Sequence, residues 1–250
     1  MDAKAVVIGL DERHHMIEHD VSTTEQKASA NILKIKTADG KIETVEVNQS
    51  KGYRIVKRFF DIVLSLIALV VLSPVFLITA IAIKMEDGEP VIFTQDRSGL
   101  NGSVFKMYKF RSMVKNAPEL HKDLLAQNEL DGPAFKMKDD PRITKVGTFI
   151  RKTSIDELPQ LLNIIKGEMS IVGPRPLPVY ETEELDTYQR QRLCVKPGLT
   201  CYWQVNGRND IGFDEWMDLD MRYIREASVW TDVKLIFMTF KAVFSGEGAV

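Results

Sequence analysis

Twenty-two consecutive residues without a charge, Ile62 to Ile83 in IVLSLIALVVLSPVFLITAIAI, constrain this chain more than any other feature. A run of that length is enough for a helix that crosses the hydrocarbon core of a bilayer. A buried helix of a soluble core this long normally shows a polar face, so membrane insertion is the expectation. Lys51, Arg54, Lys57 and Arg58 precede the run and favour a cytoplasmic N-terminal side. A simple crossing would then export everything that follows. Near the centre, however, Ser73-Pro74 interrupts the run: proline removes one backbone hydrogen bond and Ser73 is biased away from helical geometry, so a sharp bend is expected. In lipid the freed carbonyls need partners, which the Ser73 hydroxyl or packed protein can provide. Two readings stay open on these residues, a kinked crossing and a helix that dips in and returns to the same face.

The remainder reads as folded protein. With 250 residues, 44% hydrophobic and 27% charged, the chain is long enough for one domain or two with a packed core. A formal net charge of -2 excludes a globally basic nucleic-acid binder and leaves room for local basic clusters that hold phosphates. Cys194 and Cys201 have no partner pair or histidine at metal-site spacing, so neither zinc nor a disulfide framework is expected, and a reducing compartment is. The opening MDAKAVVIGLDERHH lacks the basic stretch, apolar core and cleavage site of a secretory signal. Residues 1–50 form a polar accessory segment in which ILKIKTADGKIETVEV alternates around Asp39-Gly40, predicting a hairpin. His15 and His19 have i, i+4 spacing, but together with His14 they lack the carboxylate or thiol cluster that would complete a metal site, and a solvated helix or loop is expected.

Past the apolar run, PVIFTQDRSGLNGSVFKMYKFRSM predicts two strands around Gly99 to Gly102. Lys109 and Arg111 then share one face of the second strand, aimed at an anionic ligand, at anionic lipid or at solvent. NAPELHKDLLAQNEL predicts a surface helix ending near Asp131-Gly132-Pro133. In RKTSIDELPQLLN, two adjacent carboxylates, Asp156 and Glu157, stand just ahead of an apolar run. Ser154 and Glu157 fit a capping box; alternatively Asp156 is the N-cap, which puts Pro159 in the first turn. Local rules thus assign the pair to a helix start. In EMSIVGPRPLPVY two prolines hold the backbone around Arg175 extended, presenting a guanidinium with little freedom to lose, as bidentate phosphate binding requires. VKPGLTCYWQVNGRND supplies Lys196 and Arg208 on turns, with Tyr202 and Trp203 between them either stacking a base or sugar or, the favoured reading, filling the core. TDVKLIFMTFKAVF predicts an amphipathic helix suited to packing on the domain or lying at a membrane surface.

Lys109, Arg151, Arg175 and Arg208 flank or follow the carboxylate pair in a chain tied to a membrane. Such a set suits a pyrophosphate substrate, with cations on its oxygens and a divalent metal joining carboxylates to phosphates, and points to a metal-dependent phosphoryl transferase. Neither a P-loop nor a kinase-type glycine loop occurs. The segments KRFFD, the Ser-Pro within the run, VIFTQDRSG, FKMYKFRSM, SIDELPQLLN, SIVGPRPL and KPGLTCYWQVNGR follow in this order from about Tyr53 to the C-terminus. Together they resemble the bacterial sugar transferases, or monotopic phosphoglycosyl transferases, which start polyprenyl-diphosphate-linked glycan synthesis.

The resemblance implies a membrane-associated α/β fold that is mostly helical. A reentrant membrane helix broken at Ser73-Pro74 would keep both ends cytoplasmic, beside interfacial amphipathic helices and a small cytoplasmic catalytic domain with a short β-hairpin. The segments would be 1–50, accessory; 51–90, reentrant helix and flanks; and 91–250, catalytic, at the cytoplasmic face of the bacterial inner membrane. It implies that Asp156 attacks the β-phosphate of a UDP-sugar, releases UMP and carries the phosphosugar until polyprenyl (undecaprenyl) phosphate takes it. Asp156 and Glu157 would hold Mg²⁺, with Glu157 positioning metal or substrate; Lys109, Arg151 and Arg175 would surround the phosphates; Asn206 and Arg208 would belong to the donor-binding loop. The expected partners are the UDP-sugar, the polyprenyl phosphate and the membrane, with no nucleic acid and with room for a second copy of the chain. Ser98 departs from the proline that many members carry, and the first 50 residues match no part of the minimal family domain. TCYWQV is more similar to members that transfer hexose-1-phosphate for exopolysaccharide or capsule. Two other readings compete: a membrane-attached glycosyltransferase that releases UDP, and a non-catalytic membrane scaffold whose carboxylates only cap a helix.

Overall fold

The computed structural model describes residues 17–19, 31–36, 42–47, 50–124, 137, 140–206 and 211–245. Its most apolar segment is broken in two. Helix α1 (Lys51–Val71) starts at Ser50, whose hydroxyl accepts the Tyr53 N–H at 3.2 Å, and α2 (Ser73–Asp87) leaves it at 61°. Pro74 has no N–H to give the carbonyl one turn back, that of Val70, and the Ser73 hydroxyl donates to that oxygen instead at 2.8 Å. Among the described residues no single helix is long and apolar enough to cross a membrane; α1 and α2 meet that criterion only as a bent pair. Phe59, Ile67, Val70, Val71, Leu77 and Ile78 along the pair are exposed, whereas a core helix would bury them.

The inward side packs Leu69, Phe76 and Ile83 on the core, and polar groups fasten the pair at both ends. Buried Asp61 accepts the Ser170 hydroxyl at 3.0 Å and the Ile171 N–H at 2.9 Å. Lys57 donates to the Val172 carbonyl at 2.9 Å and pairs with Asp232 at 2.8 Å, while Arg58 donates to the Ile164 and Ile165 carbonyls at 2.6 and 2.7 Å. At the other end Glu86 accepts the N–H groups of Lys145 and Val146, and Arg111 donates to the Asp87 and Gly88 carbonyls. The expected stripe of Lys109 and Arg111 therefore splits. Arg111 lies just past the end of its strand, and its buried guanidinium is taken up by the Asp87 and Gly88 carbonyls and the Asp87 carboxylate at the end of α2.

The described chain is mostly helical, with three small sheets. Strands β1 (Ile17–His19), β2 (Asn31–Lys36) and β3 (Ile42–Val47) form an antiparallel sheet, with Asn31 opposite Val47 and Lys36 opposite Ile42. The expected hairpin thus has its two strands, and its Asp39-Gly40 turn lies outside the described residues. His19 belongs to β1 rather than to a helix or loop, pairing with Leu33, and His14 and His15 lie outside the described residues. Val47 is fully buried against Cys194, Met221 and Ile224, which seats this sheet on the rest of the protein.

Strands β4 (Ile92–Ser98) and β5 (Val104–Phe110) form an antiparallel ribbon in which Lys109 faces Phe93. The Ser98 N–H donates to the Leu177 carbonyl at 3.0 Å, a bond that proline at this position lacks. Helix α3 (Ala117–Leu124) follows, its expected end lying outside the described residues. Then come α4 (Lys145–Lys152), α5 (Gln160–Lys166) and β6 (Ser170–Val172). The segment after β6 carries Arg175 into α6 (Val179–Glu183) and α7 (Thr187–Arg190), and β7 (Gly198–Thr200) returns parallel to β6. Where Gly173, just past β6, lies beside Gly198 at the start of β7, a Cβ on Gly198 would lie 2.1 Å from the Gly173 nitrogen, and one on Gly173 would lie 2.3 Å from the Lys196 carbonyl, so only glycine fits. Helices α8 (Tyr202–Val205), α9 (Phe213–Glu226) and α10 (Val229–Ser245) close the core; α10 buries Leu235 and leaves Trp230, Phe237 and Phe240 exposed, the two-sided helix that was expected.

Candidate active site

The chain enters the carboxylate pair through a turn. After α4, Ser154 adopts φ 57° and ψ 17°, a left-handed conformation that L residues with a Cβ seldom take, and Ile155–Glu157 form a single 3-10 turn. Neither expected helix start occurs. Ser154 makes no capping bond, because an N-cap side chain needs extended backbone to reach forward. Asp156 sits inside the 3-10 turn, and α5 starts only behind Pro159. The two side chains are therefore not consumed by helix capping.

Both meet cations. Glu157 Oε1 accepts Lys109 Nζ at 2.9 Å and Arg175 Nη2 at 2.7 Å, and Lys109 Nζ stands 3.9 Å from Asp156 Oδ2. Burial alone would push the Glu157 carboxyl up, but Arg175 and Lys109 outweigh it and hold this group well below the usual carboxylate range. Asp156 takes the opposite course: it is buried and accepts no hydrogen bond from the described residues, and desolvation raises its pKa against the pull of Lys109. Two neighbours in sequence thus divide into a pinned carboxylate and an unbonded one. Arg151, in the last turn of α4, makes no salt bridge among the described residues, and its charge acts on Asp156.

Arg175 is held from behind. Its guanidinium lies over the Trp203 ring at 5.4 Å, and Trp203 stacks on Trp216 at 4.5 Å, so Trp203 fills the core and also supports a cation. Arg192 Nη2 donates to the Arg175 carbonyl at 2.6 Å and, with Nε, to Oδ2 of fully buried Asp220 at 2.6 and 3.0 Å. Arg97 donates to the Pro176 carbonyl at 2.9 Å, and burial together with nearby Arg175 lowers its pKa to about 10. Arg97, Arg192 and Asp220 escape sequence reasoning because their partners are carbonyls and carboxylates far along the chain. Buried Gln160, four residues after Asp156, leaves its Nε2 without a partner. Asn206 is exposed at the end of α8 and makes no side-chain bond into the cluster, and Arg208 lies outside the described residues.

Among the described residues no three His, Cys, Asp or Glu side chains gather as a metal cage. The pair nevertheless fits a Mg²⁺ that takes its other ligands from substrate phosphate and water, since Glu157 Oε2 and both Asp156 oxygens carry no hydrogen bond from the described residues.

Fold and site together define a domain in which cations surround a buried carboxylate pair, joined to a bent apolar helix pair. The profile of the bacterial sugar transferase family matches residues 52–246, and the chain belongs to that family. It is 51% identical over 199 residues to the galactosyl transferase CpsE of Streptococcus agalactiae, covering 79% of this chain and 44% of that protein. Over 203 residues it is 44% identical to the undecaprenyl-phosphate galactose phosphotransferase of Salmonella typhimurium, covering 80% of this chain and 42% of the relative. The exopolysaccharide production protein ExoY of Sinorhizobium fredii is 41% identical over 197 residues, 77% of this chain and 87% of its own length. The chain thus spans less than half of the first two relatives and most of the third.

Proposed function

We propose that the chain transfers a hexose-1-phosphate from a UDP-sugar to polyprenyl phosphate at the cytoplasmic face of the bacterial inner membrane, with the bent helix pair reentering that face. The carrying observation is the division of labour in the pair: Glu157 takes both Lys109 and Arg175 on one oxygen, and Asp156 beside them is left unbonded. An ionised Asp156 oxygen forms a bond to the β-phosphorus of the donor. The bond from that phosphorus to the bridging oxygen breaks, and its electron pair leaves with UMP. An oxygen of polyprenyl phosphate then attacks the same phosphorus and expels Asp156, giving polyprenyl-diphosphate-hexose. The acceptor is largely anionic at neutral pH, so the second step needs little general-base help.

Lys109, Arg151 and Arg175 offset the charge of the phosphates, and Glu157 fixes Lys109 and Arg175 in place. When bound, Mg²⁺ would neutralise phosphate charge from Asp156 and Glu157. Asn206 and Arg208 contribute to the donor-binding loop. The hexose assignment is supported by the galactose named for two relatives and by the TCYWQV segment.

The test incubates the full chain with UDP-galactose or UDP-glucose, polyprenyl phosphate and Mg²⁺ and identifies the nucleotide released. UMP is expected, with a phosphohexose adduct visible by intact mass in the wild type and absent in Asp156→Asn. UDP as the product would assign ordinary glycosyl transfer instead.

A further inference from the structure

A second cationic pocket lies away from the carboxylate pair. Its cavity of about 320 Å³ is walled by the start of β5 at Ser103 and Phe105, by the loop after α5 at Lys166 and Gly167, and by Lys196 ahead of β7. Gly167 has φ +88°, and a Cβ built on it would lie 3.5 Å from Arg58 Nη2 and 3.7 Å from Lys196 Nζ, so a guanidinium and an ammonium reach the same wall. The first is anchored by its bonds to the Ile164 and Ile165 carbonyls and cannot swing away without uncapping α5. Lys196 is partly buried and has neither a hydrogen bond nor a salt bridge among the described residues. Lys166 donates to the Tyr108 hydroxyl at 2.5 Å, and Glu168, the acidic side chain in the wall, is engaged by Asn163 Nδ2 at 2.7 Å. Glu168 in the wall acts on Lys166 and Asp61 acts on Lys196, so carboxylates offset part of the charge of these three cations, and the excess that is left favours a bound anion.

We infer that this pocket binds a phosphate-bearing anion through Lys196, Lys166 and the Arg58 guanidinium, at a site separate from the one that holds the sugar donor. The wall of this pocket is built from residues other than Lys109, Asp156, Glu157 and Arg175, so the pocket and the carboxylate pair are separate sites. The ligand chemistry is a phosphate monoester or diester. Arg58 lies on α1 four residues ahead of the uncharged run that begins at Ile62, which places a lipid headgroup within reach as readily as a soluble phosphate.

The test measures the thermal unfolding of the full chain in neutral detergent during titration with inorganic phosphate, with short-chain phosphatidylglycerol and, as the zwitterionic control, with short-chain phosphatidylcholine. A saturable upward shift is expected that survives Arg175→Gln, which strips the donor site, and whose midpoint moves to roughly tenfold higher ligand in Lys196→Gln, the loss of one charged hydrogen bond. Phosphatidylglycerol acting well below inorganic phosphate identifies a headgroup site; equal potency identifies a soluble phosphate site. Lys166→Gln, at an exposed position, gives the same reading with a smaller shift if Lys196→Gln does not fold. Lys196→Arg retains binding. No saturable shift with either anion, equal shifts with phosphatidylcholine, or a shift lost in Arg175→Gln and kept in both lysine variants would overturn the inference without touching the proposed transfer chemistry.

Discussion

Two buried charge clusters meet the segment from β6 to Arg175, one at the Val172 carbonyl and the other at the Arg175 guanidinium, and they differ in how completely their polar groups are paired. In the first, Lys57 donates to Asp232 Oδ2 at 2.8 Å, to the Val172 carbonyl at 2.9 Å and to the Tyr223 hydroxyl at 3.2 Å, which uses all three ammonium protons. Tyr53 and Tyr223 complete Asp232 at 3.0 and 2.8 Å. In the second, Glu157 is doubly paired while Asp156 and Arg151 are left without hydrogen bonds among the described residues. A saturated cluster rigidifies; an unsaturated one of equal burial costs stability and persists where a ligand completes it. The contrast matches the proposed division between a structural lock and a reaction site.

The sharpest way to break the contrast is Asp156→Asn. Turnover is expected to fall by roughly 10⁴-fold or more, the scale seen when a nucleophile is removed. Stability is expected to rise at neutral pH. Burial raises the folded pKa of Asp156, so the folded state favours its protonated form; that contribution is complete below the unfolded value and is lost as pH rises through the folded one. The neutral amide escapes the loss. Glu157 has the opposite sign, its depressed pKa contributing stability above the unfolded value and losing it as pH falls through the folded one. Unfolding curves of both proteins across pH, alongside turnover, check this. A scaffold whose carboxylates cap a helix would show lower stability for Asp156→Asn. In the wild type the acid limb of turnover is expected above the ordinary Asp value of about 3.9, because under the proposed mechanism Asp156 must be ionised to attack.

Lys57→Met probes the saturated cluster. Removing Lys57 leaves the Asp232 carboxylate, with two neutral tyrosines, as an uncompensated buried charge, a loss of about 3 kcal/mol. Thermal unfolding should report that loss, while the fraction still folded forms the Asp156 adduct. Loss of the adduct at unchanged stability would move Lys57 into the reaction site and erase the distinction between the clusters.

How much of this was legible in the sequence depends on the range of the interaction. The break at Ser73-Pro74 was readable because its cause lies within one turn, and the strands on either side of Gly99 to Gly102 because their period is local. Lys109, Glu157 and Arg175 were marked as site candidates through residue type and resemblance, although 48 and 18 residues separate the bonded pairs. What local rules missed is tertiary. Ser154 and Glu157 satisfy the letter of a capping box, yet the turn into the site requires a left-handed Ser154. Arg111 obeys the alternation that paired it with Lys109, but the strand stops at Phe110. Arg192 reads as one more basic residue until Asp220, 28 positions later, is seen beside it.

The smallest expected effect belongs to Ser73→Ala, and it sharpens the comparison by asking whether pairing matters as much in the apolar helix pair as in the buried clusters. The Ser73 hydroxyl meets the one carbonyl that Pro74 leaves without its usual donor, and its own position is exposed. In water a solvent molecule would replace it and the change would be nearly silent. In a lipid environment no such replacement is at hand, so the loss should approach that of an unmade hydrogen bond, about 1 kcal/mol. Unfolding measured in nanodiscs and in a loosely packed detergent micelle separates the cases: a deficit confined to nanodiscs places the bend in hydrocarbon, and equal stability in both places it at a wet interface. Pro74→Ala provides the complementary reading, because it restores the missing N–H and removes the reason for the 61° bend. If that variant exposes a C-terminal tag outside sealed cells while Ser73→Ala does not, the proline geometry sets the return of the helix and the serine only satisfies what the proline leaves open.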